Sequence, residues 1–229
     1  MDGSRLAVVI PAYRESGTIG RVVTAAKEFG PVLVIDDCSP DDTGARAKAA
    51  GAVVFRNPTN KGYDGSLIRG LREARALGFE YAVTVDADGE HDPALLLEFR
   101  RLLLDIRLPL VLGVRPRKQR IAEAIMGSYI KLRFGVDDIL CGMKGYRLSA
   151  LEADGEAEDG HSIGTGPAIS LLRRGAHFAQ VPVSGKARED KPRFGSGLGA
   201  NWRILRALGR VLLQDIGQIG RRPTADARL

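Results

Sequence analysis

Asp86, Asp88, Glu90 and Asp92 occupy alternate positions of the stretch Val-Asp-Ala-Asp-Gly-Glu-His-Asp-Pro, four carboxylates within seven residues. They follow an apolar run, Tyr81 to Val85, whose β-branched residues read as a buried strand. Carboxylates crowded at a strand end repel one another, a cost tolerable mainly when a cation sits among them. Oxygen ligands suit Mg2+ or Mn2+, and these ions neutralise phosphate. The cluster therefore points to a site for a metal-bound diphosphate. Asp92, directly before Pro93, is also placed to cap a helix that the proline opens. His91, among hard oxygen ligands, is read as a hydrogen-bonding residue rather than a metal ligand.

The elements that must position this cluster alternate along the first hundred residues. A strand reads over Leu6 to Ile10, stopped by Pro11, and a helix from Ile19 to Phe29 that Ser16 or Thr18 could cap. Val32 to Ile35 is a second strand ending at Asp36-Asp37; a helix through Ala45 to Ala50 is closed by Gly51. Ala52 to Phe55 is a third strand, followed by Lys61-Gly62 and a helix from Gly65 to Leu77 that stops at Gly78. Strands alternating with helices of this length imply a parallel sheet with right-handed crossovers. Ligands of such sheets bind at the carboxyl ends of the strands. Three polar clusters, Pro11 to Glu15, Asp36-Asp37 and Asp86 to Asp92, all fall at such ends and are expected to converge on one cleft.

Beyond residue 105 the pattern loosens. Leu108 to Val114 reads as a strand, followed by the basic run Arg115 to Arg120 and a helix from Ile121 to Phe134. Asp137 to Tyr146 is polar and glycine-rich, and residues 152 to 166 read as an acidic loop. A helix is expected over Pro167 to Arg174, a strand over Phe178 to Val183, and a basic loop over Lys186 to Gly199. From Leu198 to Ile219 an apolar stripe of Trp202, Leu205, Leu208, Leu212, Ile216 and Ile219 is punctuated by Arg203, Arg206 and Arg210. Packing on the domain is the commonest fate of such a stripe. Pairing with another subunit as a homodimer, or lying in a membrane interface with arginines toward anionic lipid, are the alternatives. The division expected is a main domain over residues 1–197 and a C-terminal amphipathic helix and tail over 198–229.

With 229 residues, 44% hydrophobic and 27% charged, the chain fits one well-buried domain of a soluble protein. A net charge of +6 favours anionic partners. Nucleic-acid binding would rest on that charge alone, because no basic-aromatic pattern accompanies it. Cys38 and Cys141 form neither a disulfide framework nor a metal-ligand spacing, which fits a reducing cytosol. No apolar signal region opens the sequence, and no stretch approaches the roughly 20 apolar residues of a membrane span. A cytoplasmic protein is expected, with peripheral contact to the cytoplasmic membrane face still open.

Four ordered segments carry a resemblance: Val8 to Glu15, Val34 to Thr43, Asn60-Lys61-Gly62 and Val85 to Pro93. Together they resemble family 2 glycosyltransferases with the GT-A fold, closest to the dolichyl-phosphate mannose synthase-like branch. The likeness continues through Gly113-Val114-Arg115, Cys141 to Arg147, Val181-Pro182-Val183 and Arg188 to Gly195. It implies an α/β, Rossmann-like nucleotide-binding sheet, mostly parallel but mixed, with helices on both faces. It implies an inverting, Mg2+- or Mn2+-dependent transfer of sugar from a nucleotide-diphosphate sugar to a polyprenyl phosphate. Pro11, Ala12, Tyr13, Glu15, Asp37, Lys61, Asp86, Ala87, Asp88, Arg115 and Arg193 are the implied donor-binding positions. Asp86, Asp88 and Glu90 are the implied metal set, and Asp88 with Arg115 the implied catalytic pair. Arg115, Arg133 and Cys141 are the positions implied for the acceptor phosphate.

Competing readings accompany these. Asp37 and Asp36 could instead cap the following helix. Family members that glycosylate a hydroxyl need a general base before the Val-Pro-Val strand, and Gly164-Thr165-Gly166-Pro167 offers no acid there. A phosphate acceptor is already an anionic nucleophile and needs no such base. A saccharide or small polar acceptor, with Glu158 or Asp159 as base, is the second reading, and a non-catalytic nucleotide-sugar-binding partner protein the third.

Overall fold

The computed structural model describes residues 5–116, 121–151, 164–183 and 198–216. Among the described residues seven strands form one sheet: β1 (Leu6–Ala12), β2 (Val32–Asp36), β3 (Val53–Arg56), β4 (Tyr81–Thr84), β5 (Leu110–Val114), β6 (Lys144–Arg147) and β7 (Phe178–Pro182). Their order is β3-β2-β1-β4-β6-β5-β7. Every neighbouring pair is parallel except the two made by β6, which runs antiparallel between β4 and β5. The sheet is thus parallel and mixed as expected, but β6 is a strand where the sequence shows only a polar, glycine-rich segment. Lys144-Gly145-Tyr146-Arg147 is four residues long and has no apolar alternation; pairing on both sides makes it a strand.

Among the described residues six α-helices connect the strands, α1 (Ile19–Ala26), α2 (Thr43–Ala49), α3 (Gly62–Ala76), α4 (Leu95–Leu104), α5 (Ile121–Phe134) and α6 (Gly166–Arg173), and α7 (Leu198–Ile216) follows β7. The period of two in β1 divides the core. Leu6, Val8 and Ile10 face one layer with Val22 and Val23 of α1 and Phe99 of α4. Ala7 and Val9 face the other with Leu67 of α3, Met126 of α5, Ile169 of α6 and Leu208 of α7. Both faces of the strand are therefore buried, which explains its unbroken apolar run. Gly70 lets α3 press onto the sheet, since a methyl group there would overlap Val9 Cγ1.

Two expectations shift in detail. β1 runs through Pro11 to Ala12, paired there only with β2. Pairing with β4 stops at Val9, so the missing proline N–H deprives no neighbouring strand of a donor. In α7 the face turned to the core is Ile204, Ala207, Leu208 and Val211, at i, i+3, i+4 and i+7. Of the stripe read from sequence, Trp202, Leu205 and Leu212 are exposed and Leu208 is buried, while Ile219 and the side chain of Ile216 lie outside the described residues. The helix is apolar on two faces, and packing against α5 selects the one with smaller side chains.

Candidate active site

The carboxyl ends of β1, β2 and β4 lie side by side, and their loops are stitched together by hydrogen bonds. The Asp37 N–H donates to the Ala12 carbonyl at 2.9 Å, joining the ends of β1 and β2. Thr18 Oγ1 donates to the Ala87 carbonyl at 2.8 Å and lies 3.0 Å from Glu15 Oε2, joining the β1 loop to the acidic loop. Thr43 Oγ1 accepts the Glu15 N–H at 2.8 Å. Tyr13, by contrast, is exposed, with the Arg14 guanidinium 5.5 Å from its ring centre. An aromatic face at the lip of a polar cleft suits a planar base.

Asp36 and Asp37 divide their labour. Asp36 is buried, salt-bridged to Arg56, and accepts the Ser39 N–H at 3.0 Å. Asp37, also buried, accepts the Lys61 and Gly62 N–H groups, both at 2.8 Å, and the Asn57 side-chain amide at 2.7 Å. Neither caps α2, the helix that follows. Asp37 instead satisfies the start of α3, a favourable place for an anion because helix N–H groups there lack internal partners.

The acidic loop begins at Asp86, two residues beyond the end of β4. Its Oδ1 accepts the Tyr63 hydroxyl at 2.9 Å, and its Oδ2 lies 3.1 Å from His91 Nε2. Burial raises the Asp86 pKa, but His91, Tyr63 and the Lys144 charge outweigh it and hold the carboxyl below its usual range. The same exchange works on His91: burial lowers its pKa, and Asp86, Asp88 and Glu90 together raise it. Burial and Asp86 drive the Tyr63 phenol well above its usual range, so it stays a donor. His91 is a hydrogen-bonding residue, as expected. Its Nδ1 is buried with no hydrogen-bond partner. Asp92 Oδ1 accepts the Ala94 N–H at 3.0 Å, a cap for the turn that leads into α4.

Among the described residues no three His, Cys, Asp or Glu side chains converge on a point that could hold a metal ion. The expected set of Asp86, Asp88 and Glu90 is therefore not gathered as a closed cage. Asp86 is turned to Tyr63 and His91, and Asp88 Oδ1 accepts the Glu90 N–H at 3.0 Å. An open set of this kind still fits Mg2+ or Mn2+, which take one or two carboxylates and complete their shell from substrate phosphates. A methyl group on Gly142 would overlap the Asp86 carboxylate, so the backbone of the loop before β6 closes directly against it.

Arg115, just beyond β5, meets a second pair of acids. Its Nε and Nη2 donate to Asp138 Oδ2 and Oδ1 at 2.7 and 3.1 Å, its own N–H donates to Oδ2 at 3.2 Å, and Glu123 Oε2 lies 3.6 Å from Nη2. Both acids are buried. Burial works to raise the Asp138 pKa, but Arg115 overrides it and holds the carboxyl low. A two-pronged pair fixes the guanidinium plane. Lys144, buried beside this group, donates to the carbonyls of Cys141 and Gly164. Burial pushes its pKa down against the pull of nearby Asp86 and Asp138.

Two expected phosphate contacts are not assembled here. Cys141 has a fully buried side chain, packed in the core beside Gly113 and Val183, and burial pushes its thiol up to about 11. It has no surface to offer a phosphate. Arg133 lies ten residues beyond Glu123 on α5, about 15 Å along the helix at 1.5 Å per residue. Its Nε is 4.0 Å from Asp215 Oδ2 and its guanidinium sits over the Phe134 ring, so it belongs to the contact between α5 and α7. Arg193, Glu158 and Asp159 lie outside the described residues.

Several residues of the site had no individual signal in the sequence. Tyr63, Asp64, Lys144, Asp138 and Glu123 are ordinary residues of helices and loops until the chain folds. Asp64 is buried and accepts the Gly164 N–H from a hundred residues away. Lys144 and Asp138 flank a glycine-containing polar segment, the one cue that was present.

A sheet of this order, with an acidic loop at the carboxyl end of β4 and an aromatic lip beside it, is the arrangement of a GT-A fold. The comparisons agree. Residues 7–152 match the family described as "Glycosyl transferase family 2". The chain belongs to that family. It is 30% identical over 210 residues to the undecaprenyl-phosphate mannosyltransferase of Micrococcus luteus, covering 81% of this chain and 85% of that one. It is 28% identical over 211 residues to the polyprenol monophosphomannose synthase of Mycolicibacterium smegmatis, covering 81% and 78%. Among solved structures, glucosyl-3-phosphoglycerate synthase from Mycobacterium tuberculosis with phosphoglyceric acid superposes with a TM-score of 0.71 at 22% identity, covering 97% of this chain and 82% of that one. The same enzyme bound to Mn2+, UDP-glucose and phosphoglyceric acid gives a TM-score of 0.69 at 25% identity, covering 91% and 80%. The protein is a glycosyltransferase.

Proposed function

We propose that this enzyme transfers a sugar, with inversion, from a nucleotide-diphosphate donor to a polyprenyl phosphate. The observation that carries the acceptor class is the sequence likeness spanning 81% of the chain to an enzyme named for undecaprenyl phosphate. Mannose heads the list of sugars, because the two relatives described above, each matched over 81% of the chain, carry mannosyl names.

In this reading Tyr13, Pro11, Ala12, Glu15, Asp37 and Lys61 form the nucleoside end of the cleft, and Ala87 lines it beside Asp86 and Asp88. Asp86 and Asp88, with Glu90 adjacent, would hold a Mg2+ or Mn2+ ion, which would supply positive charge to offset that of the diphosphate. Arg115, oriented by Asp138 and Glu123, meets the acceptor phosphate. An acceptor oxygen forms the new bond to the anomeric carbon from the face opposite the diphosphate, and the broken C–O bond leaves its electron pair on the nucleotide. The acceptor oxygen already carries charge, so no base need take a proton. That suits residues 164–167, where Thr165 is buried and no carboxylate stands. Rate gain comes from positioning and electrostatics.

A lipid acceptor also gives a role to the outer surface of α5 and α7. Ile121 (79% exposed), Leu132 (89%), Trp202 (67%) and Leu213 (71%) face solvent there. Among the described residues no helix is long and apolar enough to cross a membrane. Apolar side chains beside the arginines of α7 suit a helix pair lying on an anionic bilayer; a homodimer through the same face is the other outcome.

The deciding experiment is mass spectrometry of the product formed from mixed nucleotide sugars, Mn2+ and a short polyprenyl phosphate. A glycosyl-phosphoryl lipid is expected. A water-soluble glycoside, or donor binding without turnover, would overturn the acceptor assignment.

A further inference from the structure

The opposite end of the strands carries a separate, basic cleft that the transfer reaction does not use. Arg5 stands just before β1, Arg107 just before β5, Arg147 at the end of the antiparallel β6, and Arg75 in the last turn of α3. The register pairs Tyr81 with both Leu6 and Arg147, so these side chains gather at the amino ends of the parallel strands, away from Asp86. They line a cavity of about 410 Å3 together with Glu80, Ser149 and the rings of Phe79 and Tyr81. That is the size of a small-molecule pocket.

Charge makes it selective. Glu80 takes Arg5 through a two-pronged pair and is the single carboxylate in the lining, against four guanidinium groups. Arg5 and Arg147 lie 5.9 and 5.8 Å from the centre of the Tyr81 ring, which holds both near the cavity. Arg147 donates from Nη2 to the Arg107 carbonyl, while its Nε is buried with no partner. An anion in the cavity would neutralise the surplus charge of four guanidinium groups set against one carboxylate. Guanidinium forks match phosphate oxygens, and the aromatic wall suits a short carbon skeleton.

We propose that this cleft is a second anion site, separate from the transferase centre, that binds the phosphomonoester of a small molecule or of a lipid head group through Arg75, Arg107 and Arg147. The inference stands whether or not the acceptor assignment above holds.

The test follows the Arg147 Nε–H resonance of the full chain by NMR during titration with inorganic phosphate. A saturable shift is expected. The exposed pair Arg75→Gln/Arg107→Gln should raise the dissociation constant about tenfold, with an unchanged thermal melt, whereas Arg115→Gln should leave it alone. No Arg147 shift at tens of millimolar phosphate, or loss of the shift in Arg115→Gln with retention in the double variant, overturns the proposal. Glycerol 3-phosphate and phosphatidic acid vesicles then separate the sources. A shift with the free ester marks a soluble ligand, a shift with vesicles alone marks a head group, and a shift with neither overturns the site.

Discussion

Tyr63 donates its hydroxyl hydrogen to Oδ1 of Asp86 at 2.9 Å, so the first turn of α3 and the acidic loop after β4 are joined through one carboxylate. The same helix start is held by Asp37. Movement of either loop is therefore felt by the other. In Tyr63→Phe the ring remains and only the donor is lost. A hydrogen bond to a charged group contributes about 1.5–3 kcal/mol, so urea unfolding should show a loss near the lower figure, about 1.5 kcal/mol, together with a higher KM for the nucleotide sugar.

Gly142→Ala tests the close approach on the other side of Asp86. The added methyl must displace a carboxylate already fixed by Tyr63 and His91. Overpacking of this kind costs about 1–3 kcal/mol. Activity should fall further than stability, because the displaced group belongs to the proposed metal set; parallel measurement of kcat and the unfolding midpoint checks this.

Asp88→Ala should lower turnover by about a hundredfold or more, the scale of removing one group that stabilises charge in a transition state. Chelation should abolish product formation, and Mn2+ or Mg2+ should restore it in the parent but not in the variant. Full activity in chelator would remove the metal from the reaction.

Asp138→Asn leaves Arg115 facing Glu123 alone. Breaking a buried pair by removing one partner costs about 3–5 kcal/mol, and because a quarter of the Arg115 side chain is exposed the lower end is expected. The pH dependence has a definite sign. The folded pKa of Asp138 is depressed, so its contribution is complete above the unfolded value of about 3.9 and is lost as pH falls through the folded one. The stability gap between parent and variant should therefore be constant near neutrality and close below about pH 4, as followed by urea denaturation across that range.

Leu132→Glu/Trp202→Glu places charge on the exposed face of α5 and α7 without touching Ile204, Leu208 or Val211 in the core. Sedimentation with anionic vesicles should fall severalfold, while turnover of a short, water-soluble polyprenyl phosphate stays near the parent's. Unchanged sedimentation, with a shift from dimer to monomer on sizing, would assign the face to a second subunit.

Local pattern was enough for much of this molecule. Alternation of apolar strands with helices, and the polar residues at each strand's carboxyl end, determined a parallel sheet with its acidic cleft beside β1, β2 and β4. Periodicity and turn residues act within a few positions, so they survive in a one-dimensional reading. The partners of the charges do not. Arg115 meets Asp138 across 23 residues and Asp64 meets Gly164 across 100, pairings set by how β6 inserts between β4 and β5. The tertiary structure alone decided that Asp37 serves α3, that Cys141 is sealed in the core, that Arg133 turns to Asp215, and which apolar face of α7 is buried. Each of these depends on desolvation, and a side chain loses its water only when distant elements close over it.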